Sequence, residues 1–134
     1  MSNVDLSALI TADAKLTAAR EKTRAKLATL RWEHETAGLV MSDGTHIAST
    51  RDSQAQIASA AAGVRAGLID AALPWKTPQG WTELTPEALL EADTALRRHV
   101  QACFAAERAV AGQIAASDDP AALDLQAAFL AQIG

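Results

Sequence analysis

The sequence predicts an α+β fold in which helices alternate with two short antiparallel β-hairpins. Apolar residues recur at helical spacing in three long segments. Two glycine-containing turns, Asp43-Gly44 and Pro78-Gln79-Gly80, interrupt short apolar runs. Prolines or glycines stand where several of the helical segments begin or end. We therefore expect an N-terminal helix over residues 1–36, a compact α+β domain over residues 37–116 and a short helical tail over residues 117–134.

The first segment, from about Asp5 to Glu35, is predicted to form one long helix because no proline or glycine interrupts it. Its apolar stripe is narrow and lapses at Arg20 and Thr23, so it is too thin to hold an isolated helix folded. Four leucines near a 3.5-residue repeat are the candidate partner-binding residues: Leu9, Leu16, Leu27 and Leu30. We expect this helix to form a homo-oligomer or to dock on a partner, so that deleting residues 1–30 removes assembly and leaves the remaining domain folded.

Charge is unevenly distributed along the chain. Residues 1–31 hold six Lys and Arg residues and three acidic residues, a net charge of +3, whereas the remainder carries −7. This asymmetry favours head-to-tail association or docking on an acidic partner, although a solvated, charged helix face produces the same pattern. Aromatic residues do not interleave with the basic ones, and the rest of the chain would repel phosphate, so we expect no nucleic-acid binding.

Asp43-Gly44 between two apolar runs is a strong β-hairpin signal. With these two residues as the loop, Met41 lies opposite His46 and Val40 lies opposite Ile47. Alternation along the strands then places Val40 and Ile47 together on the face that covers the core.

The second helix is predicted to run from Thr50, a good N-cap residue, to about Ala72. Its apolar stripe comprises Ile57, Ala61, Val64 and Leu68. The polar cluster Arg51-Asp52-Ser53-Gln54 lies where the hairpin enters this helix. Such a cluster either contacts a partner, with Arg51 as the candidate residue, or forms a capping network that fixes the hairpin on the helix. We prefer the capping network.

Pro78-Gln79-Gly80 predicts a second hairpin that carries Trp75 and Trp81. If Gly80 occupies a bulge position, both indoles lie on one face of the hairpin, whereas a four-residue loop separates them. We expect Trp75 in the core. Trp81 suits the core and a protein interface equally, and it is a candidate partner-binding residue.

The third helix is predicted to begin at Thr85-Pro86-Glu87 and to end near Ala116, because proline favours the first helical position. One side of it carries the apolar residues Leu89, Leu96, Val100, Cys103, Phe104, Val110 and Ile114. Ser117-Asp118-Asp119-Pro120 is predicted to stop this helix and to cap a short last helix. The apolar stripe of that last helix includes Phe129, a further candidate for partner binding.

No residue pattern indicates catalysis, a cofactor or a metal. The three histidines are never three or four residues apart, so they do not form a helical metal-binding pair. Ser53 does not stand in a nucleophile elbow, and Cys103 lies on an apolar helical stripe. No apolar run approaches the length of a membrane-spanning helix, and no positively charged region opens the N-terminus. We expect a non-enzymatic protein that is made in the cytoplasm and does not insert into membranes.

Several short residue groups follow the order that is typical of a known family. They are Arg31 and Glu33, Gly44 and Ile47, Thr50-Arg51-Asp52-Ser53-Gln54, Trp75-Lys76, Gly80, Leu84-Thr85, His99-Val100, Phe104 and Glu107. In this order, over about residues 15–115, the chain resembles the DUF4376 family, a domain found in tailed-phage genomes and prophages, commonly in tail-fibre or tail-fibre-assembly genes. The family usually has Thr-Asp-Arg before Ser-Gln, where this chain has Thr50-Arg51-Asp52.

The resemblance implies a bacteriophage context without naming an activity. We expect a structural protein of the tail tip, baseplate or fibre, which acts by protein–protein interaction in the virion after synthesis in the host cytoplasm. The alternative is a tail-fibre assembly chaperone that binds fibre ends and stays in the host cytoplasm. In both cases the expected partners are phage tail or tail-fibre proteins.

Overall fold

The computed structural model describes the backbone of residues 3–133 and the side chains of residues 11–133. Its elements confirm the predicted α+β fold. In chain order they are α1 (Asn3–Glu35), β1 (Leu39–Val40), β2 (His46–Ile47), α2 (Arg51–Arg65), β3 (Leu73–Thr77), β4 (Gly80–Leu84), α3 (Pro86–Ala116), a 3₁₀ turn (Pro120–Ala122) and α4 (Leu125–Ile133). Within the described residues, β1 pairs with β2 and β3 with β4, as two separate antiparallel sheets.

The chain divides into two compact units. One unit comprises residues 1–32 and 103–134, and the other comprises residues 33–102. The boundaries between the units therefore lie inside α1 and α3, and the first unit combines segments from both ends of the chain.

The core of the first unit is built from α1, the second half of α3 and α4. Leu27 of α1 and Phe129 of α4 are fully buried in it. They pack with one face of α3, whose residues recur every three or four positions as a helix face requires: Cys103, Ala106, Val110 and Ile114. At the C-terminal end of α3, Arg20 donates a hydrogen bond to the carbonyl oxygen of Ser117 at 3.0 Å, which places a cation at the negative end of the helix.

The core of the second unit joins the two hairpins to α2 and to the first half of α3. Its buried residues are Ile47, Ile57, Ala60, Leu84, Leu89, Ala92 and Leu96. Val64 and Trp75 pack against this cluster while partly buried, as predicted for core residues. Two other residues predicted to lie in the core do not: Val40 is 63% exposed and Phe104 is 39% exposed.

The first hairpin has a register that differs by one residue from the predicted one. Leu39 lies opposite Ile47, and Val40 lies opposite His46. Because side chains alternate along a strand, this shift turns Val40 away from the core face, on which Leu39 takes its place. The exposure of Val40 follows directly from the register.

The turn of this hairpin explains the shift. The N–H of Met41 donates to the carbonyl oxygen of Thr45 at 2.8 Å, and the N–H of Gly44 donates to the carbonyl oxygen of Met41 at 2.9 Å. The loop is therefore a three-residue type with Gly44 at φ +88°, a conformation that favours glycine.

Hydrogen bonds from the side chain and the backbone N–H of Thr45 lower the pKa of Asp43 below its ordinary value of 3.8.

The second hairpin separates the two tryptophans. Thr77 lies opposite Gly80, so the loop has two residues and contains no bulge. Trp75 is therefore paired with Thr82, and Lys76 with Trp81. The bulged register, in which the two indoles would share one face, does not form: Trp75 packs towards the core, and Trp81 is 73% exposed on the opposite face.

α2 ends earlier than predicted, at Arg65. Gly67 has φ +75°, and its N–H donates to the carbonyl oxygen of Val64 at 3.1 Å. The N–H of Leu68 donates to the carbonyl oxygen of Gly63 at 2.9 Å, which completes a Schellman motif. Leu68 consequently lies beyond the helix and is 82% exposed, so its predicted place in the apolar stripe is wrong.

The last helix also begins later than predicted. Asp124 caps it, since its carboxylate accepts the N–H of Ala127 at 3.1 Å and its carbonyl oxygen accepts the N–H of Ala128 at 3.0 Å. Asp118 and Asp119 instead precede the 3₁₀ turn, and the side chain of Asp119 forms no cap hydrogen bond there.

Candidate functional site

A buried carboxylate, that of Glu35, lies at the centre of the polar cluster predicted at the start of α2. Glu35 is the last residue of α1, and its side chain is 0% exposed. Arg51 donates to both carboxylate oxygens, from Nε to Oε2 and from Nη2 to Oε1, the latter at 3.0 Å. Gln54 Nε2 donates to Oε2 at 2.9 Å. Because Arg51 and Gln54 are three residues apart on α2, one face of the helix supplies all three hydrogen bonds.

Further hydrogen bonds tie the main chain around Glu35 to neighbouring segments. Ser49 Oγ donates to the carbonyl oxygen of Glu35 at 2.7 Å and accepts the N–H of Gly38 at 2.8 Å. Gln54 Nε2 also donates to the carbonyl oxygen of Ser49 at 2.9 Å. His99 Nε2, on α3, lies 3.0 and 3.1 Å from the last two carbonyl oxygens of α1. Since carbonyl oxygens only accept, Nε2 is the donor in these two contacts at the end of α1.

These five residues, Glu35, Ser49, Arg51, Gln54 and His99, are hereafter the Glu35 network. Hydrogen bonding to Glu35, together with the charge of its carboxylate, raises the pKa of Arg51 above its ordinary value. The Arg51 side chain is nevertheless 59% exposed, so the ion pair lies at the rim of the core. The network joins the end of α1, the connection between β2 and α2, and one turn of α3. Arg51 and Gln54 of the predicted polar cluster thus hold the start of α2 against the end of α1.

A second nearly buried carboxylate, that of Asp93 on α3, has two guanidinium partners. Arg65 Nη2 donates to it at 2.9 Å, and Arg97 Nε donates to both of its oxygens at 3.1 Å. The Asp93 side chain is 3% exposed, whereas the arginines are 52% and 67% exposed. This ion pair links α2 to α3 inside the second unit.

The first unit contains its own polar contact between α1 and α3. Arg31 Nε donates to Glu107 Oε1 at 2.9 Å, and the pair is largely buried, with side chains 13% and 23% exposed. The guanidinium also lies over the ring of Phe104, 4.4 Å from its centroid, in a cation–π contact. All three residues belong to the groups on which the family resemblance rests, and they too hold helices together.

The leucines and the phenylalanine proposed as partner-binding residues differ in how far they are buried. Leu27 and Phe129 are fully buried in the core of the first unit, and Leu30 packs against that core. A residue buried within its own chain is not available to a partner, so the assignment of Leu27 and Phe129 to a partner surface is corrected. Leu16 remains partly exposed. The side chain of Leu9 lies outside the described residues.

The same packing bears on the proposed deletion of residues 1–30. Leu27 and the 5%-exposed Thr23 belong to the interior of the first unit, so the deletion would remove part of that unit's core. Its effect on assembly would then be mixed with a loss of folding. A truncation before Leu16 keeps Thr23 and Leu27, and the described side chains that it removes, those of residues 11–15, are exposed.

Among the described residues, the second unit has two large clefts and a small one of about 60 Å³ beside the first hairpin. The first, of about 550 Å³, runs between α2 and α3, with an apolar floor that includes Ala58 and Leu96 and with Arg51 and Arg97 among its lining residues. Its described lining includes no Ser, Cys, His or Lys, and its one carboxylate, that of Asp93, is ion-paired with Arg65 and Arg97. The second, of about 460 Å³, lies beside Trp75 and Trp81.

The described residues contain no metal-binding cluster and no membrane-spanning helix. Among the side chains of residues 11–133, no three His, Cys, Asp or Glu residues are grouped so that they would hold a metal ion. None of the helices within residues 3–133 combines the length and the apolar character needed to cross a membrane.

Fold and site together define a small, mainly helical α+β protein whose most distinctive polar residues make internal contacts. The chain belongs to the family described as "Domain of unknown function (DUF4376)", whose model matches residues 18–128. Comparison with curated proteins gave no significant match, and comparison with solved structures gave none either.

Sequence reasoning missed Glu35 as the centre of the network. The available signal was the i, i+3 spacing of Arg51 and Gln54, which places two donors on one helix face, where a single acceptor can meet both. What the spacing does not specify is which of the acidic residues supplies that acceptor, because Glu35 is sixteen residues from Arg51.

Proposed function

We propose that this protein is a non-enzymatic structural component of a phage tail, at the tail tip, baseplate or fibre, and that it acts by protein–protein interaction. One observation carries the non-enzymatic part of the proposal. Five polar residues of the family pattern make internal contacts that stabilise the fold: Arg51, Gln54 and His99 in the Glu35 network, and Arg31 and Glu107 between α1 and α3. The phage context is supported by membership of the family, through the resemblance to tail-fibre-associated domains.

Exposed apolar side chains support the interaction part of the proposal. Trp81 is 73% exposed, and large exposed aromatic side chains are typical anchors of protein interfaces. The partly exposed Leu16 lies on the basic N-terminal part of α1, through which we propose that the protein forms homo-oligomers or docks on an acidic tail protein. The location that follows is the tail of the virion, after synthesis in the host cytoplasm.

The alternative proposal is a tail-fibre assembly chaperone that leaves before the particle is complete. The charge asymmetry of the chain suits it equally, because a basic segment on an acidic body favours reversible, salt-sensitive docking.

Mass spectrometry of purified particles, made by a phage that encodes the protein, separates the two proposals. A stoichiometric amount in washed particles supports the structural role. Absence from particles, together with co-purification with the fibre protein from infected cells, supports the chaperone. Absence from both would refute the proposed context, whereas a saturable reaction abolished by Arg51→Met but not by an equally destabilising core substitution would refute the non-enzymatic role.

A further inference from the structure

The hairpin of β3 and β4 has two outer edges, and its register identifies which backbone groups each edge presents. Pro74 lies opposite Glu83, and proline has no N–H, so this pair cannot exchange both backbone hydrogen bonds. Hydrogen-bonded and non-hydrogen-bonded pairs alternate in an antiparallel ladder, so Lys76 and Trp81 form the next non-hydrogen-bonded pair. The N–H and C=O groups of Trp81 and Glu83 therefore point away from β3, along the outer edge of β4.

The two edges are not equivalent. At the outer edge of β3, Pro74 offers no donor and Lys76 adds a charge, two features that discourage strand pairing. At the outer edge of β4, Trp81 and Glu83 both retain their N–H groups. Within residues 3–133, no backbone hydrogen bond from another element reaches that edge. The side chains of Trp81 and Glu83 are both exposed.

From this asymmetry we propose that the outer edge of β4 binds a second copy of the chain by strand addition. The two β4 strands run antiparallel about a two-fold axis at Thr82. Trp81 of each copy then lies opposite Glu83 of the other, and each of these pairs exchanges both of its backbone hydrogen bonds. The result is a four-stranded sheet that spans the two molecules.

A second copy fits this edge because the pairing is self-complementary. Thr82 meets Thr82 of the other copy, a favourable cross-strand pair. Gly80 comes opposite Leu84, and a Cβ atom at Gly80 would meet nothing within 4 Å, so there is room at that position. Lys76 and Trp81 lie side by side on one face of the hairpin, and Glu83 of the second copy lies next to Trp81 on the same face. Glu83 adds a charge opposite to that of Lys76 and an acceptor for the indole N–H.

The proposal is independent of assembly through α1, and the test keeps the two apart by using the full-length chain. In Trp81→Pro, the N–H at the outer edge is lost while the hydrogen bonds to β3 stay, because residue 81 is in a non-hydrogen-bonded pair. Lys76→Pro is the matched control, since it removes an outward N–H from the other strand. Sedimentation equilibrium should show dimerisation weakened at least about tenfold in Trp81→Pro, because the two-fold axis doubles the loss, and little changed in Lys76→Pro.

Disulfide trapping tests the register without relying on a proline variant. Thr82 is the one position of the pairing that faces itself, and opposed Cα atoms in such a pair lie about 4.5 Å apart, within the range of a disulfide. Thr82→Cys should therefore form a covalent dimer on mild oxidation, and Trp81→Cys should form much less. The native Cys103 is buried and serves as a constant background.

Equal trapping at the two positions, or none at Thr82→Cys, would overturn the proposal. Dimerisation that persists unchanged in Trp81→Pro would also overturn it and would favour assembly through α1. A chain that stays monomeric while its Trp81→Pro variant loses binding to a tail protein would replace the second copy with a strand of that protein.

Discussion

Replacing Arg51 in the Glu35 network should lower the stability of the protein, because the Glu35 carboxylate then stays buried without its cation. In Arg51→Met, the Glu35 carboxylate keeps the hydrogen bond from Gln54 but loses both hydrogen bonds from the guanidinium. Breaking a buried ion pair by removing one partner costs about 3–5 kcal/mol. Since the Arg51 side chain is 59% exposed and solvent screens part of the interaction, we expect a loss of about 2–3 kcal/mol in the free energy of unfolding.

A matched control exists in the same unit. Arg97 also donates to a nearly buried carboxylate, that of Asp93, and it is similarly exposed at 67%. Asp93 keeps Arg65 as a partner when Arg97 is replaced. Arg97→Met should therefore reduce the free energy of unfolding by no more than about 1 kcal/mol, as for an ordinary exposed ion pair.

Urea unfolding followed by circular dichroism measures both effects, and a double substitution identifies their cause. If the cost of Arg51→Met arises from a stranded charge, neutralising that charge with Glu35→Gln should restore stability in the Arg51→Met background, although it destabilises the wild-type protein. The reasoning would be refuted by an Arg51→Met protein within about 0.5 kcal/mol of wild type, a difference too small for a buried ion pair. It would equally be refuted if the double variant were less stable than Arg51→Met alone.

Three further predictions concern the turns and the first unit. Gly44→Ala should lower the free energy of unfolding by about 1–2 kcal/mol because of its positive φ, whereas Gly112→Ala, inside α3 with open space around it, should raise it by about 0.5–1 kcal/mol. Phe129→Ala should cost about 3–5 kcal/mol, and Leu130→Ala, at a 44%-exposed neighbouring position, about 1 kcal/mol or less; thermal unfolding distinguishes them, and equal effects would contradict the described core. The depressed pKa of Asp43 implies that its turn contributes stability fully above the ordinary value of 3.8 and loses that contribution as the pH falls through the folded pKa; an NMR titration midpoint at or above 3.8 would contradict this.

Element type was predictable wherever local chemistry decides it. The long N-terminal helix, the start of α3 at Pro86 and both hairpins follow from helical spacing, a proline at the first helical position and glycine turns, all of which act within a few residues. Thr50 was likewise recognisable as a cap, and its side chain accepts the N–H of Ser53 as predicted. These features depend on neighbours in sequence, so the sequence alone determines them.

Register and partner choice were decided by tertiary structure. Asp43-Gly44 is compatible with a two-residue loop and with the three-residue loop that forms, and the difference of one residue moved Val40 from the core to the surface. In the same way, the leucine repeat of α1 suits an oligomer and an internal core equally. Leu27 is buried in its own chain because α3 and α4 present apolar residues to it.

The candidate site shows the same division. The sequence by itself determined that Arg51 and Gln54 share a face of α2, since this follows from helix geometry. Only the tertiary structure decided that Glu35 lies opposite them and that His99 meets the end of α1. A buried carboxylate requires hydrogen-bond donors wherever it lies in the fold. Which donors reach it depends on how segments far apart in sequence pack against each other. That packing is set by the burial of apolar surface over a whole unit, and no local pattern determines it.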